Sequence, residues 1–174
     1  MQNFINLRKL IAVGMLWLLL WSVAAQGAGG PIEQDEQFLR RAGGFATFSE
    51  MVRLGVKKLA LSASMSPEDM DSFMAEAQRI ANENNLQIYR ETDFLVTDLF
   101  PAKGTEGKHV ILIYEGEVLE QYLALKEIKA ALIETNRYSG RSRSEVARVF
   151  GHMLSYPDAV IDKKLMESGS EQTP

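Results

Sequence analysis

The sequence HVILIY, residues 109–114, followed by EGEVLEQYLALKEIKAAL, residues 115–132, decides the fold. The first six residues are mostly apolar, partly β-branched and bounded by turn residues, which predicts a buried strand. Glu115 and Gly116 interrupt this run. Apolar residues then recur at helical spacing and predict the longest helix of the chain. These residues are Val118, Leu119, Tyr122, Leu125, Ile128 and Leu132. We expect the other elements to pack on this strand and helix.

Weaker patterns precede the central strand. A short helix is expected to begin near Asp35, and Gly43 and Gly44 should separate it from a second one ending at Gly55. The stretch 56–62 alternates loosely and predicts a strand. Residues 86–100 predict one long strand or two short ones.

One helix in this half has clear boundary signals. Ser66 is a good N-cap, Pro67 stands at the first helical position, and Asp69 follows Ser66 by three residues. Apolar residues at steps of three and four continue to about Glu83. Asn85 tolerates the left-handed conformation that ends a helix.

Two more helices are expected after the long one. Ser142 and Glu145 suggest a capping box for the first, and the sequence around Asp158 starts the second. The predicted class is α+β, with a small three-stranded mixed sheet in the order strand, helix, strand, strand, helix. The helical crossover should make the first two strands parallel, and the loop Pro101–Gly107 should return the third antiparallel.

The N-terminus has the layout of a secretory signal peptide over residues 1–25. Arg8 and Lys9 precede an uncharged apolar run, and small residues follow before Gln26. An uncleaved membrane anchor is the alternative, although the apolar run is shorter than the roughly 20 residues of a spanning helix. We expect a flexible leader over residues 26–34, a single domain over 35–167 and a disordered tail over 168–174.

Composition narrows the class of partner. Residues 1–25 hold two of the 19 Lys and Arg residues and none of the 23 Asp and Glu residues, so the remaining chain has a formal charge of −6. This acidity argues against nucleic acid as a partner. The chain has no cysteine, which excludes disulfides and thiol catalysis. The predicted localisation is periplasmic or secreted, with membrane association only if the N-terminal segment is retained.

An arginine-rich stretch between two predicted helices is the candidate ligand site. Backbone N–H groups and guanidinium groups at the start of a helix suit a carboxylate, phosphate or sulfate. The alternative is an exposed loop whose arginines meet the protein's own carboxylates. The candidate ligand-binding residues are Arg137, Tyr138, Arg141 and Arg143.

No catalytic motif or metal-ligand spacing is present, so neither a cofactor nor a metal is expected. Carboxylates at residues 91 and 93 could pair with those at 115 and 117 in acid–base chemistry, but charge on a solvated face or near a helix N-terminus explains them as well. His109 and His152 are the two histidines. The leading hypothesis is a non-enzymatic binding module for a protein partner or a small anion. The alternatives are a hydrolase using these groups and a membrane-tethered structural subunit.

Overall fold

A computed structural model describes the backbone of residues 31–170 and the side chains of residues 36–168. The predicted signal peptide and most of the predicted leader lie outside the described residues. The chain divides into two units, residues 1–37 and 38–174, and all contacts discussed below lie within the second. Within the described range, no helix is both long enough and apolar enough to span a membrane.

Helices dominate the described chain, and the three strands are short. The helices are α1 (Pro31–Arg53), α2 (Pro67–Glu83), α3 (Val118–Glu134), α4 (Gly140–Met153) and α5 (Asp158–Ser170). The strands are β1 (Leu59–Leu61), β2 (Gln87–Glu91) and β3 (Val110–Tyr114), and a 3-10 helix covers Ala102–Gly104. The α+β class and the two C-terminal helices are therefore confirmed.

The sheet is antiparallel throughout, with β3 between β1 and β2. The prediction of a mixed sheet was wrong in this respect. The crossover through α2 does make β1 and β2 run in the same direction, since both are antiparallel to β3. They do not pair because the most apolar strand takes the central position, where both of its faces can be covered.

Both faces of β3 are buried. Successive side chains of a strand point to opposite faces of the sheet, and helices cover each of these faces. Leu112 packs with residues of α3 and α4 on one face. Ile111 and Ile113 pack with residues of α1 and α2 on the other face. The result is three layers, with two helices on each side of the sheet. On the far side of α4, α5 packs through Ile161.

Helix α1 is continuous through Gly43 and Gly44, so the expected break is wrong. Two interior glycines cost roughly 1 kcal/mol each relative to alanine. Phe45 and Val52 are buried, and the ring of Phe45 meets Phe73 of α2 edge-on at 5.7 Å between centroids. Burial of one such aromatic side chain is worth about 1.5–3 kcal/mol, enough to offset the propensity cost.

Two other boundaries differ from expectation. Only Gln87–Glu91 of the stretch 86–100 is a strand, and residues 92–109 form a long connection that we name the β2–β3 loop. Phe94, Leu95 and Leu99 of this loop are buried, so apolar residues that suggested a strand serve as core anchors instead. Helix α5 continues to Ser170, so residues 168–170 of the predicted tail are helical, and residues 171–174 of that tail lie outside the described residues.

Candidate functional site

A polar cavity of about 450 Å³ lies beside the β2–β3 loop. Its volume falls within the range of roughly 300–1,000 Å³ that small-molecule sites occupy. The loop forms one wall, α3 and the chain around the start of α4 form others, and the end of α5 contributes one residue. The lining residues are Val96, Thr97, Asp98, Pro101, Ala102, Lys129, Tyr138, Arg143 and Ser168.

Arg143 and Asp98 form a forked ion pair in this cavity. Nε of Arg143 donates to Oδ1 of Asp98 at 2.8 Å and lies 2.9 Å from Oδ2, and the Nη2 group also bonds to the carboxylate. The Asp98 side chain is 13% exposed and that of Arg143 is 37% exposed. Hydrogen bonding to Asp98 raises the pKa of Arg143, so the guanidinium stays charged. The pair holds the β2–β3 loop against the first turn of α4.

Lys129 supplies a second cation that has no such partner. Its Nζ donates to the backbone oxygen of Val96 at 2.7 Å and lies 5.4 Å from the centre of the Tyr138 ring. Among the described residues, no carboxylate lies within ion-pair distance of it. Partial burial lowers the pKa of Lys129, because removal from water disfavours the charged form.

Tyr138 completes the polar lining. Burial raises the pKa of its phenol, so the group is a neutral donor at physiological pH. The ionisable groups of the described lining are therefore two cations, one carboxylate and one phenol, and Thr97 and Ser168 add hydroxyl groups. This arrangement carries an excess of one positive charge in a partly desolvated cavity, which favours a small anion over a cation or a neutral sugar.

The structure brings together two of the four predicted ligand residues. Tyr138 and Arg143 line the cavity. Arg137 is exposed and does not line it. The Arg141 side chain is 91% exposed, and its Nε lies 2.7 Å from Oε1 of Glu145 along the same helix. The anion site itself stays a prediction.

The start of α4 differs from the predicted capping box. The helix begins at Gly140 with Ser139 as the N-cap residue, and no side chain closes the cap. Ser142 therefore lies within the first turn, and Glu145 pairs with Arg141 instead of reaching back. Tyr138 packs against the core on the α3 side, which fixes the chain just before Ser139 and starts the helix earlier than the sequence suggests.

Sequence reasoning missed Lys129 and Asp98. Lys129 lies on α3 three residues after Lys126, so the two lysines are neighbours on one side of the helix. That spacing was the available signal. Asp98 is 45 residues from Arg143 along the chain, and no local pattern connects them.

The carboxylates proposed for a hydrolase do not converge. The register places Glu91 opposite Val110, whereas residue 115 follows Tyr114 at the other end of β3. Four residues of strand separate these ends by roughly 13 Å. Glu91 is buried and bonds to Lys126 of α3, so it does not lie on a solvated face.

The histidines do not complete a dyad with these carboxylates. His109 accepts from Arg90 on the α2 side of the sheet, at 3.1 Å from Nε, opposite to the side that Glu91 faces. His152 is exposed, with Nε2 3.3 Å from Asp158. Among the described residues, no group of three His, Asp or Glu side chains is placed to hold a metal ion.

Comparison of the chain with known protein families, with curated proteins and with solved structures gives no match. The function must therefore be argued from the geometry of the cavity itself.

Proposed function

We propose that this protein is an exported, non-enzymatic binding module that holds a small multivalent oxyanion in the cavity lined by Lys129, Tyr138 and Arg143. The observation that carries the proposal is the excess positive charge of the described lining. No carboxylate of the described chain lies within ion-pair distance of Lys129, and Asp98, the one carboxylate of that lining, is paired with Arg143. Export rests on the signal-peptide pattern of residues 1–25.

The three side chains have different roles in this proposal. Lys129 supplies an ammonium group. A bound anion would compensate the charge of this group and would therefore counteract the effect of burial, which lowers the pKa of Lys129. Arg143 supplies a planar guanidinium fixed in orientation by Asp98. The Tyr138 phenol donates a hydrogen bond without adding charge. Phosphate, sulfate and small dicarboxylates are the ligand class that these groups suit.

Thermal unfolding at constant ionic strength tests the proposal. A ligand that binds only the native state raises the melting temperature by mass action. Phosphate, sulfate and succinate are titrated against wild type, Lys129→Gln and Arg143→Gln, with chloride as the reference anion. Arg141→Gln is the matched control, because Arg141 is an exposed arginine of the same helix turn outside the cavity. We expect a saturable shift in wild type and the control, reduced by at least half in both cavity variants.

Equal shifts in all four proteins would mean general salt stabilisation and would overturn the proposal. Asp98→Asn gives a second test, in which the expected result is a gain in anion affinity and not a loss. It removes the one carboxylate of the described lining and should tighten anion binding several-fold. A weaker affinity in this variant would mean that orientation of Arg143 by Asp98 contributes more to binding than the charge of the carboxylate removes. Mass spectrometry of the mature protein checks export separately, with Gln26 as the expected first residue.

A further inference from the structure

A second cavity, of about 390 Å³, lies on the other side of Pro101, which lines both. Its walls come from the last turns of α1, the end of β1, the β2–β3 loop and the turn between α4 and α5. Most of the lining is apolar or aromatic. The apolar and aromatic members are Phe48, Leu61, Phe94, Phe100, Pro101, Val110, Leu154 and Tyr156.

Lys57 is the charged residue among the described residues that line this cavity, and the lining includes no carboxylate. Its Nζ donates to the backbone oxygen of Leu154 at 2.8 Å and lies 5.2 Å from the centre of the Tyr156 ring. An ammonium group has three N–H donors, and the carbonyl accepts from one of them. Partial burial lowers the pKa of Lys57. The cation is thus held at an apolar wall without a compensating negative charge in contact.

The serine hydroxyls in the lining are already committed to the fold. Ser62 Oγ donates to the backbone oxygen of Ala63 at 2.8 Å and accepts from the backbone N–H of Ile111 at 2.9 Å. Ser64 Oγ donates to the backbone oxygen of Gly104 at 2.9 Å. Because these serine protons are used and Lys57 is the charged residue of the described lining, Lys57 is the group best placed to attract a negatively charged ligand.

We propose that this cavity binds an apolar monocarboxylate, with the carboxylate at Nζ of Lys57 and the hydrocarbon against the phenylalanine side chains. A group of water size occupies about 30 Å³, so the volume admits on the order of a dozen non-hydrogen atoms. Octanoate has a single charge and ten non-hydrogen atoms, and it is the probe of this class that we choose. The site is separate from the polar cavity, whose lining favours compact multivalent anions.

Calorimetric titration of octanoate into the intact protein tests the proposal. We expect saturable one-to-one binding, at least tenfold weaker in Lys57→Met. Lys58→Met is the matched control, since Lys58 is an exposed neighbour whose backbone N–H, unaffected by the substitution, donates to Ser155 Oγ. This control should bind octanoate as wild type does. Equal affinity in wild type and Lys57→Met would overturn the role of Lys57.

A ligand series on wild type decides the matter if Lys57→Met fails to fold. Octanoate should bind at least tenfold more tightly than 1-octanol, which lacks the charge, and than acetate, which lacks the chain. If 1-octanol binds as well as octanoate, the carboxylate is not recognised and the proposal fails. Octanoate binding is measured on wild type without phosphate, and phosphate binding is measured separately, so failure of the polar-cavity proposal and failure of this one are distinguishable.

Discussion

Nζ of Lys126 on α3 lies 3.0 Å from Oε2 of Glu91, at the end of β2, and the Glu91 side chain is almost fully buried. The other Glu91 oxygen accepts from the backbone N–H of Asp93 at 2.8 Å. The same Lys126 ammonium bonds to the backbone oxygen of Asp93. Beside this network, Tyr122 Oη accepts from the N–H of Leu95 at 3.1 Å. Together these bonds fix the beginning of the β2–β3 loop, which forms a wall of both cavities.

Removal of Lys126 should therefore destabilise the fold more than its charge alone suggests. Lys126→Met leaves Glu91 buried without its cation, and we expect a loss of about 3 kcal/mol in the free energy of unfolding. Glu91→Gln in the same chain should recover at least half of that loss, because no uncompensated charge remains. Urea unfolding measures both effects. Lys108→Met, at an exposed position of the loop, is the control and should change stability by less than about 0.5 kcal/mol. Strict additivity of the two substitutions would contradict this account of the pair.

Gly151 allows the close approach of α4 to α5. A Cβ at this position would lie 2.8 Å from Cδ1 of Ile161 and 2.9 Å from Cδ1 of Leu99. Gly151→Ala should destabilise the protein by about 1–2 kcal/mol, since overpacking outweighs the gain in helix propensity. Gly43→Ala is the matched comparison, because Gly43 is an exposed helical glycine with open space around it, and it should stabilise by about 1 kcal/mol. Thermal and urea unfolding of the two variants should change in opposite directions, and a gain in both would show that α4 and α5 do not pack this closely.

Ser49 is fully buried on α1, and its Oγ has no hydrogen-bond partner within the described chain. An unsatisfied buried hydroxyl costs about 1–3 kcal/mol. Ser49→Ala should therefore raise the free energy of unfolding by at least about 1 kcal/mol. Ser72→Ala serves for comparison, because Ser72 is an exposed helical serine whose hydroxyl donates to the Glu68 carbonyl. Similar gains from both substitutions would mean that helix propensity, not burial, explains the effect.

Acid stability should depend on the pair between Arg41 and Asp69. The guanidinium donates to Asp69 at 2.8 Å, and this bond lowers the pKa of the carboxyl below its usual 3.8. A carboxyl with a lowered folded-state pKa contributes stability that is fully present above pH 3.8 and is lost as pH falls through the folded pKa. Asp69→Asn and Arg41→Gln should each flatten the decline in stability below pH 4.

Unfolding measured from pH 2.5 to pH 6 checks this prediction. The double variant should have the same profile as Asp69→Asn, because that substitution already removes the pair. Arg41→Gln should flatten the profile less, since the hydrogen bond with Ser66, which also lowers the pKa of Asp69, remains. A double variant that is flatter than Asp69→Asn would show that Arg41 has another carboxylate partner and would contradict this account of the pair.

The layers of the fold were predictable where apolar residues recur along the sequence at the period of a strand or a helix. Ile111 and Leu112 alternate between the two cores as a covered strand requires. The N-cap at Ser66 is confirmed by its side-chain bond to the N–H of Asp69. The order of the strands in the sheet was not predictable from the length of the connection between β1 and β2. Strand β3 lies between these two strands, although both precede it in the chain. The continuity of α1 also depends on tertiary packing that overrides the glycines.

The candidate site was predictable only in its local part. Tyr138 and Arg143 stand in one unusual stretch, so composition identified them. Asp98 and Lys129 reach the same cavity through the β2–β3 loop and the packing of α3, which no spacing in the sequence reveals. The i,i+4 spacing of Arg141 and Glu145 is a local signal for their pair, whereas no spacing in the sequence could show that Arg143 crosses to the loop.

The most direct test of the oxyanion site is an NMR titration of the intact protein with phosphate that follows the Nε–H signals of its arginines at constant ionic strength. We expect a saturable shift of the Arg143 signal and an unchanged Arg141 signal, since Arg143 lines the cavity and Arg141 does not. Lys129→Gln should weaken this shift. Parallel, non-saturating shifts of both signals, or no shift of either, would contradict the account.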